Sequence, residues 1–487
     1  MMKRIKFTYL IALAMSVSII YSVAACNTVI NQTTTTSNTE ISTEVSATAD
    51  DAMSNYNDGE HVISVSGETA EYSNISVSKT GSSSSGDEAD FYGDNAAVFA
   101  TDKATLNLKN VNIDTNGNHA NAVFSYGEGT TVNISDSTIT TDGDCSGGIM
   151  TTGGGTMNAT NLNIHTTGNS SAAIRSDRGG GTVNVSGGTY KTDGQGSPAI
   201  YSTANITVSD ATLESTSSQG VVVEGKNSVT LKNVKLIADN NTQNSDRSSY
   251  YQAVMIYQSM SGDASVGLAT FTMSGGSLTN KKGDIFFVNN TATTITLENV
   301  EIVNNDPSGV FLRACAAGWG TEGSNGGKVN LYLNKQTLSG DIAVDSVSVL
   351  NMYMASSTTY TGAVNAENKG QVYVEIESGS KWVLTGDSYV TSLTCDADAI
   401  DLNGHKLYVN GVEYKSGSAS KGTAIEIVTE SSSGSNGQPD GTPPQGDPPS
   451  GAPGGNGDKP QGDPPSGDPP SGGPGGNGEQ PPEKPSN

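Results

Sequence analysis

Arg175, Asp177 and Arg178, with Asp142 and Asp144 about one repeat earlier, bring together guanidinium and carboxylate groups that could do acid–base chemistry. Breaking an acidic polysaccharide by elimination needs carboxylates to hold calcium and an Arg or Lys to take a proton. Hydrolysis needs two carboxylates about 5–9.5 Å apart. The same residues fall in turn-like sequence, where Asp ordinarily hydrogen-bonds the local backbone. The turn role is the preferred reading, so no catalytic residue is assigned. Four histidines, His61, His119, His165 and His405, are scattered without ligand spacing, and there is no Cys-x-x-Cys, phosphate loop or Gly-x-Ser-x-Gly elbow. No metal ligand or cofactor is therefore assigned. Calcium is the one structural ion that Asp-rich turns would suit, although the dense Gly-Gly-x-Gly-x-Asp repetition of calcium solenoids is missing.

Cysteine chemistry points to the chain's start. Lys3, Arg4 and Lys6 precede an apolar run from Phe7 to Ile20, too short for a comfortable membrane span, and Val23-Ala24-Ala25-Cys26 follows. This looks like the lipobox of bacterial lipoproteins, which implies cleavage before Cys26 and a diacylglycerol on its sulfur. Two acyl chains suffice for stable anchoring, at about 0.8 kcal/mol per buried CH₂. The expected segments are a signal peptide at 1–25 and a Ser/Thr-rich spacer at 26–60. Cys145, Cys315 and Cys395 are far apart in the chain, and no disulfide framework is expected.

Composition narrows the partners. The 487 residues carry 50 acidic and 25 basic side chains, a net charge of −25, and only five arginines. Nucleic acid is excluded as a partner, because phosphate recognition needs clustered Lys and Arg. Apolar residues amount to 34% and charged ones to 15%, while there are 59 glycines and abundant Ser, Thr and Asn. Such a chain folds with much backbone hydrogen bonding per unit of apolar surface.

That balance is explained by a repeat. Apolar doublets or triplets at 97–99, 122–124, 148–150, 173–175, 199–201 and 221–223 are each followed by two short alternating segments. Val98, Val123, Ile149, Ile174, Ile200 and Val222 are spaced by 25, 26, 25, 26 and 22 residues. Period-2 alternation with Gly, Asn, Asp or Ser at each break predicts strands and turns, and a fixed period of this length predicts a solenoid. Three strands per period describe one coil of a right-handed parallel β-helix, expected over 61–429.

Alternation also predicts which side chains face outward. In the second strand of each coil these are Asn107, Asn133, Asn158, Asn184, Thr207, Thr230, Thr272, Thr296 and Asn330, either a flat recognition face or a solvated ladder of stacked amides and hydroxyls. The ladder reading is preferred. In the first strand Arg175 and Tyr201 place Phe99, Phe124, Met150, Val223, Phe287 and Leu312 on one outer row. A partly apolar outer row could stack sugars or meet a protein, or could lie under the spacer or loops. Two polar excursions, Asp239 to Tyr251 and Ser259 to Gly267, and a Gly-rich one from Gly318 to Gly327, project from the rod, where specificity usually resides.

Residues 381–411 read KWVLTGDSYVTSLTCDADAIDLNGHKLYVNG. Trp382, Leu384, Gly386, Ser388, Val390 and Leu393 match a W-x-L-x-G-x-S-x-V-x-x-L cadence. This resembles the segment that closes the β-helix of pertactin-like autotransporter passengers, and GGTVNVSGGTYKTDG at 180–194 is similar to their internal repeats. The resemblance covers roughly 61–414, with the closing segment at 371–414, and implies an adhesin-like β-helix at a cell surface. The chain departs from that family in lacking a β-barrel translocator after the helix and in having the lipobox. From residue 430 the chain is Pro/Gly-rich, with Gln-Gly-Asp-Pro-Pro-Ser-Gly at 445–451 and 461–467, and is expected to be an extended tail.

The expectation is a lipid-anchored protein of the bacterial envelope facing the extracellular side, with a membrane contact through Cys26 and a glycan or host-surface ligand. The alternatives are a polysaccharide lyase or hydrolase of the pectate-lyase-like β-helix class and a passive envelope spacer.

Overall fold

A computed structural model describes residues 46–47 and 52–429. The expected lipobox with Cys26, most of the expected spacer and the Pro/Gly-rich tail lie outside the described residues. The chain winds as a parallel β-helix of three faces, and its strands pair in register with the coil before and the coil after. The first face is an eleven-stranded parallel sheet running from Ile63–Ser66 to Ile342–Val344. The second and third faces join in one sheet because Gly155–Thr166 and Gly181–Thr192 continue around the corner between them. Paired β structure begins before the expected boundary at 61: Ser46–Ala47 pairs with Glu71–Tyr72 and Ala52–Asn55 with Ser76–Lys79.

Each strand buries one side of its alternation. On the first face the inward row is Val98, Val123, Ile149, Ile174, Ile200, Val221, Val254, Phe286, Leu312 and Ile342. Inward side chains from all faces form a single continuous cluster from Ile63 to Tyr414. Where coils need more volume, Phe271, Phe286 and Phe311 meet edge to face at 5.5 and 5.6 Å between ring centres.

The turn between second and third faces is made by one residue in the left-handed region: Asn110, Asp136, Asn161, Asp210 and Asn233, with φ between 50° and 53°. Asn and Asp tolerate this conformation best after glycine, which accounts for their recurrence at one phase of the repeat. At the corner after the third face, Gly117, Gly143, Gly168 and Gly194 stack so closely that a Cβ on any one would overlap the carbonyl of the glycine one coil before.

Register corrects two outward assignments and shifts a third along its ladder. Val221 pairs with Ile200 and Val222 with Tyr201, so the step is 21 residues; Val222 is outward and Val223 inward. Leu312 pairs with Phe286 and is inward, leaving Arg313 beside Phe287 on the outer row. Asn330 faces outward as expected, but it pairs with Thr294, and the position after Thr296 on the second-face ladder belongs to Tyr332. For Val223 and Leu312, neighbouring residues of similar polarity left the phase of alternation unmarked.

The closing segment ends the rod. Tyr360, Trp382 and Ile400 continue the third-face stack; the Trp382 indole N–H donates to the Gly362 carbonyl at 2.9 Å. Leu407–Val409 then folds back against Val412–Glu413 in an antiparallel pair. A parallel sheet left open would present unpaired backbone groups; this reversal covers the edge of Leu407–Val409, and Cys395 bridges antiparallel to Ser420 beside the last second-face strand. No helix among the described residues is long and apolar enough to cross a membrane.

Candidate functional site

The outer side of the first face is where the coils depart from simple repetition. Phe99, Phe124, Met150, Arg175, Tyr201, Val222, Met255, Phe287 and Arg313 form one row there. Its first part is covered: Phe99, Phe124 and Met150 pack with Ala96 and Tyr126, and His61 stacks on Phe99 at 4.6 Å. The short helix Asp87–Tyr92, inserted between two coils, closes over this stretch, with Thr152 Oγ1 donating to the Phe91 carbonyl at 2.6 Å. The expected outer row is therefore apolar at Phe99, Phe124 and Met150, and there it is buried under a helix and loops.

Beneath that helix lies a network of charged side chains. Asp90, only 3% exposed, accepts from Arg175 Nη2 at 3.1 Å and from Asn121 Nδ2 at 3.1 Å. Arg175 also donates to Asp177 at 3.0 Å. Burial works to raise the Asp90 pKa, but Arg175 and then His119 outweigh it and hold the carboxyl below its usual range. Asp177, although equally close to Arg175, is pushed up to about 6 by burial, with repulsion from Asp90 and Asp263 adding to it. Carboxyls displaced in opposite directions suit acid–base roles, yet Asp90 and Asp177 are both buried, at 3% and 7% exposure. Arg178 leaves the cluster, pairing with Asp263 at 2.9 Å and covering the Phe91 ring at 3.8 Å. Asp142 and Asp144 serve turns, accepting from the Thr167 hydroxyl and the Asn169 N–H at 2.8 Å each.

The second-face ladder uses its own amides. Asn133, Asn158 and Asn184 each donate Nδ2 to the Oδ1 of the residue one coil before at 2.8–2.9 Å, and Asn107 donates to Glu71 at 3.2 Å. Donors and acceptors are thus spent along the ladder, which is the stacked-amide reading of these four residues.

An accessible pocket forms farther along the outer row. Tyr201, Met255 and Tyr257 make its floor, and the excursions 239–251 and 318–327 add Asn240, Tyr250, Tyr251 and Trp319 as walls, with Gln219 and Gln252 beside them. Its volume is about 110 Å³. The walls are fastened: Arg247 Nη1 donates to the Gly318 carbonyl at 2.7 Å, and the Gly318 N–H returns a bond of 2.7 Å to Arg247. Arg313 is held by Asp284 at 2.6 Å and lies 4.1 Å from the Tyr250 ring centre, and Lys282 lies 4.4 Å from that of Tyr251. Under the floor, Tyr201 and Tyr257 donate to one oxygen of buried Glu224 at 2.5 and 3.1 Å. Burial, with that carboxylate nearby, holds both phenols well above their ordinary pKa, so they remain neutral donors.

No charged side chain lines this pocket, and the buried Gln252 Oε1 in its wall has no hydrogen-bond partner. Aromatic faces beside amides suit an uncharged ligand that presents C–H faces and hydroxyl groups. Of the expected site residues, Tyr201 alone belongs to this pocket. The others divide between the covered hydrophobic stretch (Phe99, Phe124), the charged cluster (Arg175) and the amide ladder. Sequence reading missed Trp319, Tyr250, Tyr257 and Gln252; the aromatic content of the two excursions was the available signal. Compared with protein-family models and with curated proteins, the chain matches none.

Proposed function

We propose that this parallel β-helix is a carbohydrate-binding, adhesin-like protein of the cell surface that binds rather than cleaves its ligand. The observation that carries the reading is the uncharged pocket of Tyr201, Tyr250, Tyr257 and Trp319 with Gln252 in its wall. Its volume of about 110 Å³ is well under the roughly 300–1,000 Å³ of sites that enclose a drug-sized molecule. One sugar unit at a chain end suits it better than a polymer laid along a cleft. Lipid anchoring at Cys26 and display on the bacterial envelope accord with the lipobox and with the resemblance to autotransporter passengers.

The test is binding of the full chain to an array of neutral and acidic glycans. Retention of neutral glycans, lost in Trp319→Ala and kept in Asn133→Ala, supports the reading. No retention of any glycan, or retention unaffected by Trp319→Ala, refutes it.

A further inference from the structure

His119 and Cys145 are 26 residues apart and occupy the same place in successive coils. Each turns the corner before a first-face strand in the left-handed conformation, with φ of 56° and 55°. The His119 N–H donates to the Asp144 carbonyl, next to Cys145, and the Cys145 N–H repeats the pattern with Asn169. Stacking thus sets an imidazole beside a thiol. Asp90 comes to them from the inserted helix, and one ligand-type atom of each residue lies within 4.8 Å of the other two.

The spacing inside this trio is unlike that of a hydrogen-bonded pair. His119 Nδ1 is buried and 3.3 Å from Asp90 Oδ2, longer than the roughly 2.7–2.9 Å of a well-formed charge-assisted hydrogen bond and outside hydrogen-bond geometry. Two ligands about 2.0–2.1 Å from one tetrahedral zinc ion stand about 3.3–3.4 Å apart. The surrounding groups also orient the carboxylate, as partners of metal-bound carboxylates do. Asn121 holds Oδ1 at 3.1 Å and is itself fixed by the Gly147 N–H at 2.7 Å, while Arg175 holds Oδ2 at 3.1 Å. Arg175 is shared with Asp177, so two carboxylates and a thiolate offset the guanidinium together with a divalent ion.

We propose that Asp90, His119 and Cys145 bind a single zinc ion, which ties the helix Asp87–Tyr92 to two successive coils. Imidazole and thiolate select zinc and its neighbours over calcium, which takes six to eight oxygen ligands. His119 and Cys145 are half-buried, so an ion reaches the site from solvent and water completes the tetrahedron. This inference is independent of the sugar pocket.

The test uses the full chain, stripped of metal by chelation and titrated with cobalt(II). Uptake of one ion per chain with thiolate-to-cobalt charge-transfer absorption is expected, and zinc, not calcium, should displace it. Cys145→Ser should abolish the absorption. His119→Asn, which keeps a residue suited to the left-handed corner, should weaken binding at least about tenfold. Cys315→Ser should change nothing. In the unaltered chain, zinc should also block alkylation of Cys145, a readout that no variant's folding can confuse. The proposal is overturned by absence of uptake, by charge transfer that persists in Cys145→Ser, or by alkylation of Cys145 at the same rate with and without zinc.

Discussion

Replacing Arg175 with methionine tests whether the charged cluster is what fastens the inserted helix. The guanidinium is 12% exposed and its partners Asp90 and Asp177 are 4% and 10% exposed at the side chain. Removing one member of so buried a pair leaves carboxylates without a counter-ion, which costs about 3–5 kcal/mol. Asp90 is on the helix, whereas Arg175 is 85 positions later in the sheet. The loss should therefore appear as local opening of Asp87–Tyr92, with the distant coils unaffected, since each coil of a solenoid meets only its neighbours. At about 1.4 kcal/mol per tenfold, the lower bound of that cost predicts roughly hundredfold faster amide exchange. The diagnostic amides are Ala89 and Gly93, which bond to Gly86 and Ala89. Hydrogen exchange in the presence of chelator reads this directly, with Val329 and Leu331 in a remote coil as internal controls. Addition of Asp90→Asn should recover part of the loss. Exchange at Ala89 and Gly93 within threefold of the unaltered protein would refute the reasoning.

Three further outcomes follow from the same geometry. Asp177 has its folded pKa raised from 3.8 to about 6, so the stability it contributes is fully present below pH 3.8 and is lost as pH rises through 6; Asp177→Asn should flatten that part of a stability–pH profile measured by denaturant unfolding. Gly143→Ala should lower stability by about 1–3 kcal/mol, because its Cβ overlaps the Gly117 carbonyl, whereas Gly404→Ala, with open space around it, should show only the cost of a left-handed φ of 83°; paired thermal melts compare them. Asn133→Ala should cost about 1 kcal/mol by breaking two ladder amide bonds, and a larger loss of ligand binding than of stability would show the ladder to be a recognition face.

The repeat was legible because its chemistry is periodic: β-branched residues inward, Asn or Asp where φ turns positive, glycine where corners touch. Phase was lost where periodicity carried no contrast. Val221-Val222-Val223 reads the same in either register, and Phe311-Leu312 offers two candidates for one inward position; only pairing to Ile200 and Phe286 separates them. The pocket was less legible still, since its walls meet through Arg247 and Gly318, 71 residues apart on two excursions outside the repeat. The trio of Asp90, His119 and Cys145 was half legible. Adding one coil length to His119 lands on Cys145, but nothing periodic announces that Asp90 will arrive from an insertion.

The antiparallel fold-back of Leu407–Val409 on Val412–Glu413 has a consequence for assembly. Every coil before it is both a product of the preceding template and a template for the next, so the core sets no upper limit on length. Part of the limit is imposed by two reversed residues, and the antiparallel bridge of Cys395 to Ser420 closes a neighbouring strand. A chain cut before Leu407 would carry a growing end of parallel strands, and its copies could polymerise head to tail into fibres. Those few residues therefore act as a terminator, keeping a self-templating architecture a discrete molecule.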